Sequence, residues 1–318
     1  MPAEIAFCRR AGDAIGRSVN FLGKMMVEDL QRASVGHNER PLDVADFYRA
    51  NGFFLFRQAL DRRLVEDVAR IEQEIVRPYG GPLLRHNGKI ATHDHAMGPP
   101  WDVARRQSGL LNPHRLGEGP LKAFSEATTR LLTSQSLFNC LHKLDGNDRY
   151  TLHQSIFFFV SARTDTHQDR VTLDTVPAGG SFTVWIPVDR VRPANGPLFV
   201  VPRKLGVYDE ALEGIGAGGE SRGAMSGAYN DAVADSVGSS EIEAVMPFLQ
   251  PGDVMIFGPS TPHGSFAALD KNLWRRSFQA IYRPTAITRW GAYPTHDEPH
   301  DVATEEVEMN ESFNFLRG

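Results

Sequence analysis

The sequence predicts a mainly β fold, a sandwich or barrel of short strands with helices packed around it. Two observations indicate this class. From about residue 150 the chain divides into short segments rich in strand-forming residues, with Gly, Pro and Asp at the joins. Before that point, apolar residues recur with helical spacing. The predicted strands are 152–162, 181–190, 197–202, 243–249, 253–257 and 275–283.

The first part of the chain supplies the flanking helices. Residues 1–42 predict a helical N-terminal extension. Residues 43–50 predict a helix that Gly52 ends, and the apolar run Phe53–Phe56 suits a short buried strand. Apolar residues within Leu64–Val76 fall at helical intervals, which predicts a second helix.

Three further segments complete the outline. Residues 120–134 predict another helix, and the Pro-, Gly- and His-rich stretch 77–111 predicts loops around a site. Residues 209–240 are dominated by Gly, Ala, Ser and acidic residues, which indicates a long mobile insertion between two strands. Such an insertion is either a plain surface loop or a lid over an active site.

Composition excludes several classes of protein. The chain has 318 residues, enough for one large β-rich domain, and its formal net charge of -5 offers no basic surface for nucleic acid or an anionic membrane. No run of about 20 apolar residues predicts a membrane span. The two cysteines, Cys8 and Cys140, match no disulfide or zinc pattern. We therefore expect a cytoplasmic enzyme that acts on a small molecule, and no pattern indicates an oligomeric state.

A metal site is indicated by the string Thr166-His167-Gln168-Asp169. On an extended strand, residues i and i+2 face the same way, so His167 and Asp169 can bind one ion while Gln168 faces elsewhere. His263, which follows a turn and a short apolar strand, is the candidate third ligand. Two histidines and one carboxylate form a facial triad that leaves three positions open, a geometry diagnostic of iron(II) oxygenases.

The open positions suit a 2-oxo acid, which chelates iron through its keto and C1 carboxylate oxygens, together with O2. The remote C5 carboxylate then requires a cation, and arginine offers a planar, two-pronged match. Arg275 and Arg276 lie 12 and 13 residues beyond His263. Strand alternation places Arg275 with Gln279 on one face and Arg276 on the apolar face, which favours Arg275 inside the barrel.

Other histidines fit less well. His93-Asp94-His95 and His296-Asp297-Glu298 also contain the His-x-Asp or His-Asp pattern, but both lie outside the strand block and lack a spaced arginine. We interpret them as solvated loops, with His93 or His95 as lesser candidates for the pocket border. His153 precedes the metal motif on a strand and is expected to be a satisfied structural histidine.

Taken as a set, these motifs resemble the phytanoyl-CoA dioxygenase family of iron(II)- and 2-oxoglutarate-dependent oxygenases. The resemblance runs from about Val44 to Pro284. It rests on these segments: Phe47–Phe56, His167–Asp169, Phe182–Asp189, Asn195–Leu198, Val201–Pro202, Pro251–Asp253, His263–Ser265 and Trp274–Ser277.

The resemblance implies a double-stranded β-helix, or jelly roll, flanked by helices, with residues 43–318 as one domain. It also implies iron(II), 2-oxoglutarate and O2 as cofactor and cosubstrates. Arg275 would hold the C5 carboxylate with help from Ser265, and Trp185 would lie against the cosubstrate. The implied iron ligands are His167, Asp169 and His263.

The expected reaction is hydroxylation of an unactivated C–H of a small metabolite, in secondary metabolism, with succinate and CO2 as coproducts. Related halogenases lack the metal-binding carboxylate, so Asp169 argues against halogenation. Arg203-Lys204-Leu205 replaces a Gly-Ser-His run common in the family, which argues against assuming a fatty acyl-CoA substrate. Desaturation, epoxidation and ring formation remain alternative outcomes of the same chemistry. A jelly-roll protein that binds metal and ligand without turnover is the alternative from another class.

Overall fold

The computed structural model describes residues 43–86, 90–92, 109–161, 163–202, 222–239, 244–289 and 307–310. The helices are α1 (Val44–Asn51), α2 (Arg62–Ile71), α3 (Lys122–Leu132), α4 (Gln135–Asp145), α5 (Arg170–Leu173) and α6 (Arg222–Ser239). The strands are β1 (Phe53–Phe56), β2 (Pro82–Leu84), β3 (Ile90–Thr92), β4 (Leu110–Leu111), β5 (Arg149–Phe158), β6 (Thr164–His167), β7 (Thr175–Val176), β8 (Phe182–Pro187), β9 (Leu198–Val200), β10 (Val254–Phe257), β11 (His263–Ser265), β12 (Ser277–Pro284), β13 (Thr288–Arg289) and β14 (Val307–Asn310).

Two antiparallel sheets form the centre of the fold. The larger has the strand order β1-β10-β8-β12-β5-β14, with β4 also paired to β5, and the smaller has the order β6-β11-β9. Side chains from both sheets line one cavity. The architecture is a double-stranded β-helix with flanking helices, so the predicted fold class is confirmed.

Helices α1 and α3 pack against the outer face of the larger sheet. Asp43 caps the start of α1 by accepting a hydrogen bond from the backbone N–H of Asp46, and Gly52 ends the helix in the left-handed region at φ 77°. The rings of Phe124 on α3 and Phe157 on β5 meet edge to face at 5.4 Å. The hydroxyl of Tyr282 on β12 donates to a backbone carbonyl at the end of α3. These contacts close the apolar core on the side of the sheet away from the cavity.

Most predicted elements are confirmed, although the predicted loop stretch 77–111 contains the short strands β2, β3 and β4. The predicted strand 243–249 is wrong, because Val245 forms only an isolated bridge with Val200. Helix α4 was not predicted, although Ser134 caps its start and Gly146 its end. The predicted mobile insertion is helical over Arg222–Ser239. The predicted extension 1–42 lies outside the described residues, and among those that are described no helix is long and apolar enough to cross a membrane.

A buried ionic cluster fixes the entry to β12. Arg276 bonds Asp189 through both Nε and Nη2, at 3.0 and 2.8 Å, and bonds Glu72 through Nη1 at 2.8 Å. Glu72 is fully buried, at the start of a short π-helical turn that ends α2, and it also pairs with Arg77. The cluster therefore ties a flanking helix to the larger sheet immediately beside residue 275.

We expect Arg276→Ala to lower the free energy of unfolding by about 3–5 kcal/mol, because it leaves the buried carboxylate of Glu72 without its principal partner. Urea denaturation measures this change. Arg70→Ala is the control, since it removes an arginine that pairs with Asp67 and Glu74 only at the exposed surface of α2, and it should leave stability nearly unchanged. Equal effects of the two substitutions would contradict a structural role for the cluster.

Candidate metal centre

Strand pairing brings the predicted ligands together. β6 ends at His167, β11 begins at His263, and the two residues face each other in the antiparallel register. Asp169 follows two residues after His167, so its carboxylate reaches the same point. Nε2 of His167 lies 3.9 Å from Asp169 Oδ1, and Nε2 of His263 lies 3.7 Å from Asp169 Oδ2. One ligand atom from each residue lies within 4.8 Å of the others, a spacing that could hold one metal ion.

The histidine tautomers suit metal binding. Nδ1 of His167 lies 2.8 Å from the carbonyl oxygen of Asp165, and Nδ1 of His263 lies 2.9 Å from that of Thr261. A carbonyl oxygen can only accept, so each Nδ1 carries the proton and each Nε2 keeps a lone pair. Burial and the neighbouring histidine lower the pKa of His263 to about 4, so it is neutral at pH 7.

The carboxylate is held by its own partner. Thr183 on β8 donates from Oγ1 to Asp169 Oδ2 at 2.7 Å, and both side chains are buried. This bond crosses from the larger sheet to the segment that carries the ligands. The hydrogen bond fixes the rotamer of the Asp169 carboxylate. Thr183 uses Oδ2 and forms no hydrogen bond with Oδ1.

The three residues open into a cavity of about 270 Å³. One part of its wall is apolar and includes Phe158, Leu173, Leu198 and Phe257. Another part is polar and includes four carboxamide residues, Gln154, Gln168, Asn230 and Gln279. The Phe157–Phe159 run, which could have lined either pocket or core, divides between the two: Phe158 lines the cavity and its neighbours are in the core.

Arg275 lies in this cavity as a buried cation. Its side chain is 2% exposed, and no carboxylate among the described residues pairs with it. Nε and Nη1 have no hydrogen-bond partner there, while Nη2 lies 3.5 Å from the carbonyl oxygen of Val160. The guanidinium lies 5.3 Å from the ring of Trp185. Burial lowers the pKa of Arg275 to about 9, so it remains charged at pH 7 and suits an anionic ligand.

Ser265 completes the set of predicted residues. Its Oγ accepts a hydrogen bond from the backbone N–H of Thr164 at 3.1 Å, and it lines the same cavity. The structure therefore brings all six predicted site residues around one cavity. Their roles as ligands and cosubstrate contacts remain predictions.

Other candidates fall elsewhere. His153 is buried on β5 and does not line the cavity. The strings 93–95 and 296–298 lie outside the described residues. Sequence reasoning missed Asn230 and Tyr229, which come from α6, because nothing in a Gly- and Ala-rich segment marked them as site residues.

The family model for phytanoyl-CoA dioxygenase (PhyH) matches residues 48–277, which is most of the chain and contains every predicted site residue. The chain belongs to the phytanoyl-CoA dioxygenase family. The family predicted from the sequence is confirmed, and so is the predicted enzyme class, a 2-oxoglutarate-dependent non-haem iron oxygenase.

No curated protein sequence matches the chain. Solved structures, in contrast, share its fold. A non-haem α-ketoglutarate-dependent carbocyclase, SnoK from nogalamycin biosynthesis, superposes with a TM-score of 0.53 at 15% identity, covering 86% of this chain and 92% of its own. The epimerase SnoN, in complex with Fe³⁺, α-ketoglutarate and nogalamycin RO, has a TM-score of 0.51 at 16% identity, covering 81% and 91%. At these identities, the likeness concerns the fold.

The residues of this phytanoyl-CoA dioxygenase family member fit the group that the family implies. The donor set is two imidazole nitrogens and one carboxylate, which suits non-haem iron(II) with open positions. The buried Nε2 of His263 has no hydrogen-bond partner, as expected of an atom placed to receive a metal. Nε and Nη1 of Arg275, also without hydrogen-bond partners among the described residues, suit the carboxylate of a 2-oxo acid.

We expect Thr183→Val to weaken iron(II) binding by about tenfold, because partners that orient a ligand contribute roughly 10–100-fold in metal affinity. Anaerobic calorimetric titration measures this affinity. Thr128→Val in α3 is the matched control: it makes the same change at a buried threonine whose hydroxyl has no hydrogen-bond partner among the described residues, so metal affinity should be unchanged. If Thr183→Val and the unchanged protein bind iron(II) with equal affinity, Thr183 does not orient the Asp169 carboxylate for metal binding.

Proposed function

We propose that the chain is an iron(II)- and 2-oxoglutarate-dependent dioxygenase in which His167, Asp169 and His263 bind the iron, and that it hydroxylates an unactivated C–H of a small metabolite. The observation that carries this proposal is an open set of three ligands beside the buried, uncompensated charge of Arg275. A structural zinc site, in contrast, is usually closed by four protein ligands.

Arg275 accounts for the choice of cosubstrate. Its guanidinium presents a flat fork of N–H donors, and a carboxylate accepts two of them in parallel. Nε and Nη1 are the donors without partners among the described residues, and each forms a two-donor edge with Nη2. The C5 carboxylate of 2-oxoglutarate on either edge would satisfy one of them and neutralise the charge. Trp185 packs near the guanidinium and restricts its orientation. Ser265 provides a hydroxyl in the same cavity.

When bound, iron(II) with 2-oxoglutarate and O2 supplies the oxidising power for C–H chemistry, and 2-oxoglutarate leaves as succinate and CO2. The protein contributes position and exclusion of water. Phe158, Leu173 and Phe257 form an apolar wall beside the ligands, and Thr183 keeps the carboxylate of Asp169 in one orientation. Nδ1 of each histidine donates to a backbone carbonyl, so Nε2 is the atom that the neutral imidazole offers to a metal.

The cavity supports a small substrate of low charge. Among its described lining residues, Arg275 is the only arginine or lysine, and the cosubstrate would occupy it. The phosphates of an acyl-CoA would need further cations. Carboxamides and apolar side chains instead suit a molecule that carries hydroxyl or carbonyl groups on a hydrocarbon frame.

Two alternatives have distinct signatures. Desaturation, epoxidation or ring formation would consume 2-oxoglutarate and O2 but yield a product without the added hydroxyl. The carbocyclase and the epimerase named above share this fold, so the fold accommodates outcomes other than hydroxylation. A metal- and ligand-binding protein without turnover would bind iron and 2-oxoglutarate and form no succinate. Succinate formation separates turnover from binding alone, product mass separates oxygen insertion from desaturation and ring formation, and product NMR separates a hydroxyl from an epoxide.

We expect purified protein, loaded with iron(II) under anaerobic conditions, to convert 2-oxoglutarate to succinate only after O2 is added. Asp169→Ala should abolish the reaction. Arg275→Ala should raise the KM for 2-oxoglutarate about 10–100-fold, since hydrogen bonds to charged groups contribute about 1.5–3 kcal/mol. Arg62→Ala, at an exposed position of α2, is the control.

Because turnover without substrate is slow in uncoupled reactions, the assay is repeated with a metabolite mixture. Iron and 2-oxoglutarate binding without any succinate would favour the non-catalytic reading. An unchanged KM in Arg275→Ala would exclude Arg275 as the carboxylate partner. Turnover of a metabolite without 2-oxoglutarate, unaffected by Arg275→Ala, would instead favour a cupin-type isomerase or dioxygenase.

A further inference from the structure

The insertion helix α6 (Arg222–Ser239) packs against β6 and α5, the two elements that flank the His-x-Asp string. Tyr229, Val233 and Val237 are buried, and Asp231 and Asp235 between them are exposed. Spacings of four residues put the three buried side chains on one face of the helix. The helix is therefore docked on the ligand-bearing segment through a defined stripe.

At one end of this stripe, four residues form a hydrogen-bonded group that we call the Gln168 clamp: Gln168, Tyr229, Asn230 and Ser260. Gln168 Nε2 donates to the carbonyl oxygen of Ser260 at 2.6 Å, and Tyr229 Oη bonds Gln168 Oε1. The backbone N–H of Gln168 donates to Asn230 Oδ1 at 3.2 Å. Gln168 itself is only 2% exposed.

The direction of every bond in the clamp is determined. A backbone carbonyl only accepts, so the amide nitrogen of Gln168 must face Ser260 and its oxygen must face Tyr229, whose hydroxyl then donates. A backbone N–H only donates, so the oxygen of Asn230 must face Gln168. The clamp thus leaves the amide nitrogen of Asn230 for other partners, and Asn230 lines the cavity.

The clamp joins the chain segments that carry all three ligands. Gln168 stands between His167 and Asp169, and Ser260 lies three residues before His263. A shift of the Gln168 backbone would move both neighbouring ligands, and loss of its bond to Ser260 would free the two segments from each other. Tyr229 satisfies the one remaining acceptor of the Gln168 side chain, and without that donor the buried oxygen would be left unpaired.

We propose that Tyr229 is a positioning residue for the metal centre: through Gln168, the insertion helix holds the His-x-Asp segment and the His263 segment in the geometry that binds iron. This inference rests on the proposed function only in taking the triad as metal ligands. The amide N–H groups of Asn230 add a consequence for the substrate, since a wall that offers donors favours a ligand with hydroxyl, ether or carbonyl oxygens.

The test is metal binding by the full chain, with Mn²⁺ and Co²⁺ alone as probes. Tyr229→Phe removes one oxygen atom and keeps the ring in the stripe. It should weaken Mn²⁺ binding by about tenfold and alter the visible absorption of bound Co²⁺, which reports ligand geometry. Neither reading depends on turnover.

Two variants of the same helix separate positioning from packing. Val233→Ala removes buried contacts of α6 without touching the clamp, so it should lower Tm and leave both metal readings unchanged. Asp231→Ala, at an exposed position, should leave all three unchanged. Wild-type metal readings in Tyr229→Phe would overturn the proposal, as would equal losses in Tyr229→Phe and Val233→Ala.

The outcomes also separate this inference from the proposed function. If the unchanged protein binds metal and forms succinate while Tyr229→Phe behaves identically, only the positioning role fails. If Tyr229→Phe weakens metal binding but the unchanged protein forms no succinate, the proposed reaction fails and the positioning role stands. If the unchanged protein binds neither probe, the triad is not a metal centre and both fail.

Discussion

The antiparallel pairing of His167 with His263 is the constraint on which the site depends. A slip of one residue would set Gly264 opposite His167 and turn His263 to the other face of the sheet. A slip would move a residue with a Cβ into the place of Gly264. A Cβ at that position would lie 2.6 Å from both the Phe199 ring and the carbonyl oxygen of Thr164, so Gly264 helps to fix the register. The close approach of these strands admits only glycine there, and it fixes the ligands on either side.

Two adjacent arginines at the entry to β12 show how one segment serves both folding and the predicted binding site. Arg276 is neutralised by Asp189 and Glu72, so its burial strengthens the junction between helix and sheet. Arg275 is buried as deeply without any such partner among the described residues. An unpaired buried charge opposes folding, and the neighbouring cluster offsets that cost by fixing the strand entry. The cavity consequently keeps a charge that only a ligand neutralises.

Alternation along strands was enough to predict much of the site from sequence. It assigned Arg275 to the cavity, because alternate residues of an extended chain face the same side, whereas the family resemblance implied the place of Trp185. The segment 222–239 resisted prediction, since its Gly and Ala residues hide a helix whose signal is three buried side chains. Residues 243–249 have strand-like composition, but tertiary contacts pair only Val245. Contacts between distant segments, such as Gln168 with Ser260, leave no trace in local pattern.

The insertion helix contacts both the segment of the predicted metal ligands and the cavity wall. Tyr229 and Asn230 are consecutive, yet the first acts on the ligand segment through Gln168 and the second reaches the cavity wall. A small rotation of the helix would therefore alter the ligand positions and the donors offered to the substrate together. The outcome of this chemistry depends on which C–H lies closest to the iron. If Tyr229 positions the metal centre as proposed, the contacts that hold the metal would also govern where the substrate lies.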